Sequence, residues 1–237
     1  MTIILSYCHK DASAAFALAR LIATRTDMEA HELILYSSQH APLPTLELVE
    51  ELKAHMKLAV MRCDNDTKDY PLGANLMFAG LMTIIAGGFE VQDTIFLAEA
   101  DAFPTSADWA NRIEAAHGKF ESAVSGHWID WVEPNHYNGN MVLDREFILR
   151  TPVLRRPVFV AWDCHHAEWL AEIGAGPLSD NPEILLPQKP EPNMPAEWWF
   201  AQRKNGKRPS YIHGQSGFAI IDRLQREGFP AEDSSSR

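Results

Sequence analysis

The stretch Asp93-Thr94-Ile95-Phe96-Leu97-Ala98-Glu99-Ala100-Asp101-Ala102-Phe103-Pro104 is an apolar run closed by two carboxylates one small residue apart. In an extended strand the side chains alternate faces, so Glu99 and Asp101 point the same way and Ala100 leaves room around them. Two hard oxygen ligands on one edge suit a divalent cation holding a diphosphate, because Mn²⁺ and Mg²⁺ share carboxylate and phosphate oxygens. Pro104 cannot donate to a ladder, so it ends the strand and leaves the acids at its carboxyl end, where open α/β sheets bind ligands. The same spacing also fits two solvated acids at a strand-to-loop turn.

A second residue of interest is His213, followed by Gly214 after the strand-like Tyr211-Ile212. That setting suits a ligand at a strand end with close backbone approach, and it equally suits a structural histidine. His165 and His166 are neighbours on a helical pattern and do not share a face, so they read as surface residues or acceptor contacts.

These side chains need a scaffold, and the first half of the chain supplies an alternation of strand and helix patterns. Strands are expected at residues 2–6, 31–36 and 58–61 and at the run carrying Glu99 and Asp101, with helices after Asp11 and over 46–56 and 72–86. Asp11 can cap the first of these helices, and Gly87-Gly88 ends the third. Thr105-Ser106-Ala107-Asp108 has capping-box spacing before a helix through Trp109 and Ile113. This order predicts an α/β fold with a mostly parallel, Rossmann-like sheet and helices on both faces. After residue 119 the pattern becomes irregular: strands at 120–128 and 140–143, a proline-rich loop over 176–195, a helix over 217–226 and a disordered tail at 231–237.

Composition narrows the class. The net charge of -11 argues against a protein that coats nucleic acid, leaving Arg203, Lys204, Lys207 and Arg208 as one dense basic stretch, which reads as a solvated loop or as one that closes over a diphosphate or meets a polyanionic acceptor. Cys8, Cys63 and Cys164 are odd in number and widely spaced, which suggests neither a disulfide framework nor a structural zinc site. The apolar run at residues 3–5 is too short for a signal-peptide core, and 76–89 falls short of the ~18 residues of a membrane span. A soluble, cytoplasmic protein with no membrane partner is expected.

Four segments together resemble the GT-A fold of nucleotide-sugar glycosyltransferases. They are residues 2–11 as first strand and nucleotide-contacting loop, Phe96 to Pro104 as the D-x-D-type strand, Trp162-Asp163 as a downstream acid, and Tyr211-Ile212-His213-Gly214 as a late metal-ligand histidine. The middle motif is E-x-D. The resemblance spans almost the whole chain and implies one domain over residues 1–230, divided into a nucleotide-sugar-binding half (1–118) and an acceptor-side half (119–230).

It implies a metal-dependent transferase moving a sugar from a UDP-linked donor to a hydroxyl of a saccharide or of a hydroxymethylated DNA base. Asp101 and His213 would hold Mn²⁺ or Mg²⁺, with Glu99 reaching the metal or the donor ribose. Ser6, Tyr7 and Asp11 would contact the nucleotide, and Asn75 a donor sugar hydroxyl. Asp163 would be the base of an inverting reaction or an acceptor-positioning group in a retaining one; alternatively it caps the helix that follows. The segment His136-Tyr137-Asn138-Gly139-Asn140 offers amides and an aromatic face to an acceptor, which His136, Tyr137 and Asn138 would contact, or forms a turn.

Two other readings compete. Ile4-Leu5-Ser6-Tyr7-Cys8-His9-Lys10-Asp11 resembles the opening of a TIR domain, whose enzymatic members cleave NAD; that likeness ends near Leu21. A non-catalytic nucleotide-sugar or glycan-binding module is the third.

Overall fold

The computed structural model describes residues 1–64, 71–156, 161–174, 176–188, 194–214 and 217–230. The chain runs β1 (Thr2–Tyr7), α1 (Ala12–Arg25), β2 (Glu32–Ser37), α2 (Leu46–Lys53), β3 (Lys57–Arg62), α3 (Leu72–Ala86), β4 (Thr94–Glu99), β5 (Ala102–Pro104) and α4 (Trp109–His117). There follow β6 (Val124–Ile129), β7 (His136–Asp144), α5 (Arg145–Arg150), α6 (Trp162–His165), α7 (Ala167–Ile173), β8 (Ile184–Leu185), α8 (Ala196–Phe200), β9 (Tyr211–His213) and α9 (Gly217–Glu227).

Among the described residues, six strands form a sheet in the order β3-β2-β1-β4-β7-β6. The first four are mutually parallel, and β7 then runs antiparallel to both β4 and β6. Strand alternation divides the core in two. Ile3, Leu5, Leu33 and Leu35 face Leu18, Ile22, Leu48 and Leu52 of α1 and α2. Ile4, Ile34, Ile95 and Leu97 face Phe78, Leu81, Met82 and Ile85 of α3. Helix α3 keeps the expected ends and stops where Gly88 turns to φ 101°, a conformation open to glycine. No helix among the described residues is long and apolar enough to cross a membrane.

Several expectations need correction. The acidic strand does not run through Asp101: β4 ends at Glu99, and a turn at Ala100-Asp101 sends the chain into β5 of a second, three-stranded sheet, β5-β9-β8. Pro104 lies inside β5, tolerated because β5 is an edge strand. The capping box does not form. Asp108 stands at the cap position of α4 without a side-chain bond, while the Thr105 hydroxyl donates to the Pro209 carbonyl. Residues 136–140 are the start of β7 rather than a turn. The helix expected after Asp163 is two pieces, and Asp163 lies inside the first turn of α6, whose cap position is Ala161. The proline-rich segment carries β8, and the tail at 231–237 lies outside the described residues.

Candidate active site

Strand β1 has β2 on one side and β4 on the other, so the loops leaving their carboxyl ends diverge and open a crevice between them. A cleft of about 470 Å³ occupies that place. Its floor and one wall are Ser6, Tyr7, Cys8 and Asp11 after β1 and Glu99 and Asp101 after β4, with Gly139 of β7 beside them. The opposite wall is apolar: Met77, Phe78 and Leu81 of α3 and Trp162 of α6, with the Phe78 and Trp162 rings stacked at 3.8 Å.

At the mouth of the cleft the two carboxylates meet the histidine. His213 Nε2 lies 3.0 Å from Asp101 and 3.5 Å from Glu99 Oε2, and the ligand atoms of all three lie within 4.8 Å of one another. The turn after β4 and the end of β9 are tied by the Gly214 N–H donating to the Asp101 carbonyl at 3.1 Å. Gly214 is needed here because a Cβ would lie 2.1 Å from the Trp199 ring; the close approach is by an indole rather than by backbone.

Burial in the cleft, opposed by His213 and reinforced by Asp101 and Asp163, pushes the Glu99 carboxyl up to about 7. The side chain keeps 44% of its surface open to the cavity, so water screens part of this effect. Burial pulls the His213 imidazole down, but Glu99 and Asp101 outweigh it and hold it up to about 9. Asp11 is likewise raised by burial, with Asp101 adding to it; its carboxylate accepts from the Cys8 N–H at 2.5 Å and leaves the α1 amides uncapped. The site thus concentrates acids and retains protons that a divalent cation would replace, and two carboxylates with one imidazole fit Mn²⁺ or Mg²⁺ in donor chemistry.

A chain of amides fixes this group. The Glu99 N–H donates to Asn140 Oδ1, and Asn140 Nδ2 then donates to Glu99 Oε2 and to Asn138 Oδ1. The Asn140 N–H also donates to Asn138 Oδ1, which leaves Asn138 Nδ2 facing His213 Nδ1 at 3.1 Å. Gly139 and Asn140 belong to the segment expected to meet an acceptor or to form a turn, and their contact with Glu99 is what sequence reasoning misses. Gly139 carries the Glu99 carboxylate against its Cα, where a Cβ would lie 3.0 Å from Oε1.

Ser6, Tyr7 and Asp11 are brought to the cleft as expected by position. Tyr7 is almost wholly buried, its ring edge-on to Phe16. Asn75 is buried in α3 and is not among the residues lining the cleft, although its neighbour Ala74 is. His136 and Asn138 share the face of β7 that looks toward Asp163 and His213, whereas Tyr137 points into the core and donates to the Gly174 and Gly176 carbonyls. Asp163 feels both Glu99 and His213, and burial raises its carboxyl against the opposing pull of His136. His166 is buried rather than on the surface. In the basic stretch Lys204 is also buried, donating to Asp180 Oδ1 and to the Asn181 and Ile184 carbonyls.

No protein-family model and no curated protein sequence matches this chain. Solved structures do share its fold. The galactosyltransferase LgtC, in complex with donor and acceptor sugar analogs, superposes with a TM-score of 0.57 at 7% identity, over 99% of this chain and 98% of that one. An active-site mutant of LgtC gives 0.54 at 8% identity, over 94% and 95%. S. aureus TarS 1–349 overlaps only in part, with a TM-score of 0.41 at 10% identity over 62% of this chain and 47% of that fragment. The chain has a GT-A-like α/β fold.

Proposed function

We propose that this chain is a glycosyltransferase that takes a sugar from a UDP-linked donor and places it on a saccharide hydroxyl, working as one domain over residues 1–230. The observation that carries this reading is the convergence of Glu99, Asp101 and His213 at the mouth of a 470 Å³ cleft at the sheet's switch point. The LgtC fold covers the half of the chain that the TIR resemblance leaves unexplained, so NAD cleavage is not carried further.

In this reading Asp101, His213 and Glu99 hold Mn²⁺ or Mg²⁺, which when bound neutralises charge on the departing diphosphate. Ser6 and Asp11 hold the nucleotide at the end of β1, and the Phe78–Trp162 wall excludes water from the transferred sugar. Asp163, His136 and Asn138 stand on the acceptor side, where Asp163 takes the hydroxyl proton or orients the hydroxyl. A saccharide is favoured over DNA because burial of Lys204 removes one cation from the basic stretch and the net charge is -11.

Calorimetric titration with UDP, with and without Mn²⁺, tests the donor. Metal-dependent binding followed by hydrolysis of a UDP-sugar supports transfer. Metal-dependent binding with no turnover on any donor or saccharide supports the binding-module reading, and equal UDP binding in excess chelator removes the metal bridge.

A further inference from the structure

A second group of ligating side chains, sharing no residue with the first, adjoins the acidic mouth of the cleft. His136 opens β7, and Asp163 and Cys164 sit in α6, which packs on that strand. Their ligand atoms all lie within 4.8 Å of one another. The three residues differ in kind from the Glu99 group: one nitrogen, one oxygen and one sulfur in place of two carboxylates and an imidazole.

The histidine is already in the ligating tautomer. Its Nδ1 lies 2.5 Å from the Pro134 carbonyl, and a carbonyl oxygen can only accept, so Nδ1 carries the proton and Nε2 presents its lone pair. This carbonyl lock on the distal nitrogen is the arrangement that orients metal-binding histidines. At His213 the neighbour of Nδ1 is a side-chain amide instead, Asn138 Nδ2 at 3.1 Å, and Nε2 faces Asp101 at 3.0 Å.

The spacing is also that of two ligands on one ion. His136 Nε2 and Cys164 Sγ are 3.6 Å apart. Tetrahedral zinc, with bonds of about 2.05 Å to nitrogen and 2.3 Å to sulfur, separates such a pair by ~3.5 Å. The ring of His136 is held in the protein interior, so this separation does not depend on a mobile surface side chain.

We propose that His136, Asp163 and Cys164 form a Zn²⁺ site distinct from the Glu99–Asp101–His213 group, with three protein ligands and a fourth position open to water or to a substrate atom. The soft thiolate and the imidazole select zinc, while the carboxylate-rich group suits Mn²⁺ or Mg²⁺. On binding, the Cys164 thiol forms its bond to zinc and releases its proton to solvent, so affinity rises with pH. The site stands independently of the transferase reading, since its test reads metal binding directly. If that reading also holds, zinc engages the Asp163 carboxylate and transfer falls as the site fills.

The test uses the full chain stripped of metal and titrated with Co²⁺ and then Zn²⁺. Co²⁺ is expected to produce a thiolate-to-cobalt charge-transfer band that one equivalent of Zn²⁺ abolishes. Cys164→Ser should remove the band, and both it and His136→Gln should weaken Zn²⁺ binding ~10-fold or more. Cys8→Ser and Asp101→Asn should keep the band. Absence of the band in the parent overturns the proposal whatever the variants do. So does its loss in Cys8→Ser or Asp101→Asn, or parental Zn²⁺ affinity in Cys164→Ser and His136→Gln.

Discussion

Asn140 holds Glu99 at two points: its Oδ1 accepts from the Glu99 backbone N–H at 2.9 Å, and its Nδ2 donates to Glu99 Oε2 at 2.7 Å. A backbone N–H can only donate, so the orientation of the Asn140 carboxamide is set by the Glu99 main chain. That choice propagates to Asn138 and on to His213, so the geometry of the acidic mouth is dictated from β7.

Asn140→Ala should therefore release the Glu99 carboxylate and leave the buried ends of this amide chain unsatisfied. The expected cost is about 1–3 kcal/mol of stability. Loss of an outer-shell partner should also weaken Mn²⁺ binding ~10-fold or more. Thermal melts and calorimetry check both, and a variant with parental melting and parental Mn²⁺ affinity would show that the amide chain does not organise the site.

Gly139→Ala tests the same group sterically. The new methyl would press on the Glu99 carboxylate, which is the end of a flexible side chain partly open to the cavity and can swing away. The fold should survive while metal-dependent UDP binding weakens. Unchanged UDP binding in a folded Gly139→Ala protein would place Glu99 outside the metal group.

Lys204 anchors the segment that carries β8 to β6 through Asp180, and its replacement should expose that role. Removing one partner of a buried pair leaves the other uncompensated, so Lys204→Met should cost about 1–3 kcal/mol, less than a fully buried pair because Asp180 is 30% exposed. The pH dependence has a definite sign. Burial alone would raise Asp180, but His127 and Lys204 outweigh it and hold its carboxyl below the ordinary 3.8. The unfolded chain binds the extra proton, so this stability is complete above 3.8 and is lost as pH falls through the lowered folded value. Without Lys204 the folded value rises, and acid unfolding followed by circular dichroism should begin at higher pH. An unshifted acid midpoint would mean that the pair is not what holds the segment.

The α/β alternation was legible because each early strand is a short apolar run and each helix an amphipathic or apolar stripe of ordinary length, as at β1, β2 and α3. Glu99, Asp101 and His213 were found as ligating residue types next to strand ends, although the reason first given for pairing Glu99 with Asp101 fails. They meet through a turn that starts a second sheet, and strand alternation has no part in it. Gly139 and Asn140 read only as part of an acceptor segment or a turn; their hold on Glu99 gave no signal, since an amide and a glycine in a strand acquire that meaning only through which groups lie opposite. Lys204 looked like one cation in a solvated stretch, because its acceptors, Asp180 and two carbonyls, are supplied by a segment about twenty residues away with no periodicity.

The division of labour between the acidic mouth and Asp163 gives the most discriminating outcome. Asp101 and His213 lie 3.0 Å apart, and in the proposed reaction they would hold the donor's metal, so Asp101→Asn and His213→Ala should weaken Mn²⁺-dependent UDP binding as well as turnover. Asp163 lies with His136 and Cys164, and its carboxylate already accepts from the Cys164 N–H at 3.0 Å. In the proposed reaction, as a base or acceptor-positioning group, it would act chiefly in the transition state. Asp163→Asn should leave UDP binding intact while transfer falls by ~10²-fold or more. Asparagine keeps an oxygen to accept from the Cys164 N–H, so the start of α6 should be preserved and a parental melting temperature should accompany the loss. A folded Asp163→Asn protein that transfers sugar at the parental rate removes Asp163 from the chemistry, and His213→Ala binding Mn²⁺ and UDP like the parent makes that histidine structural.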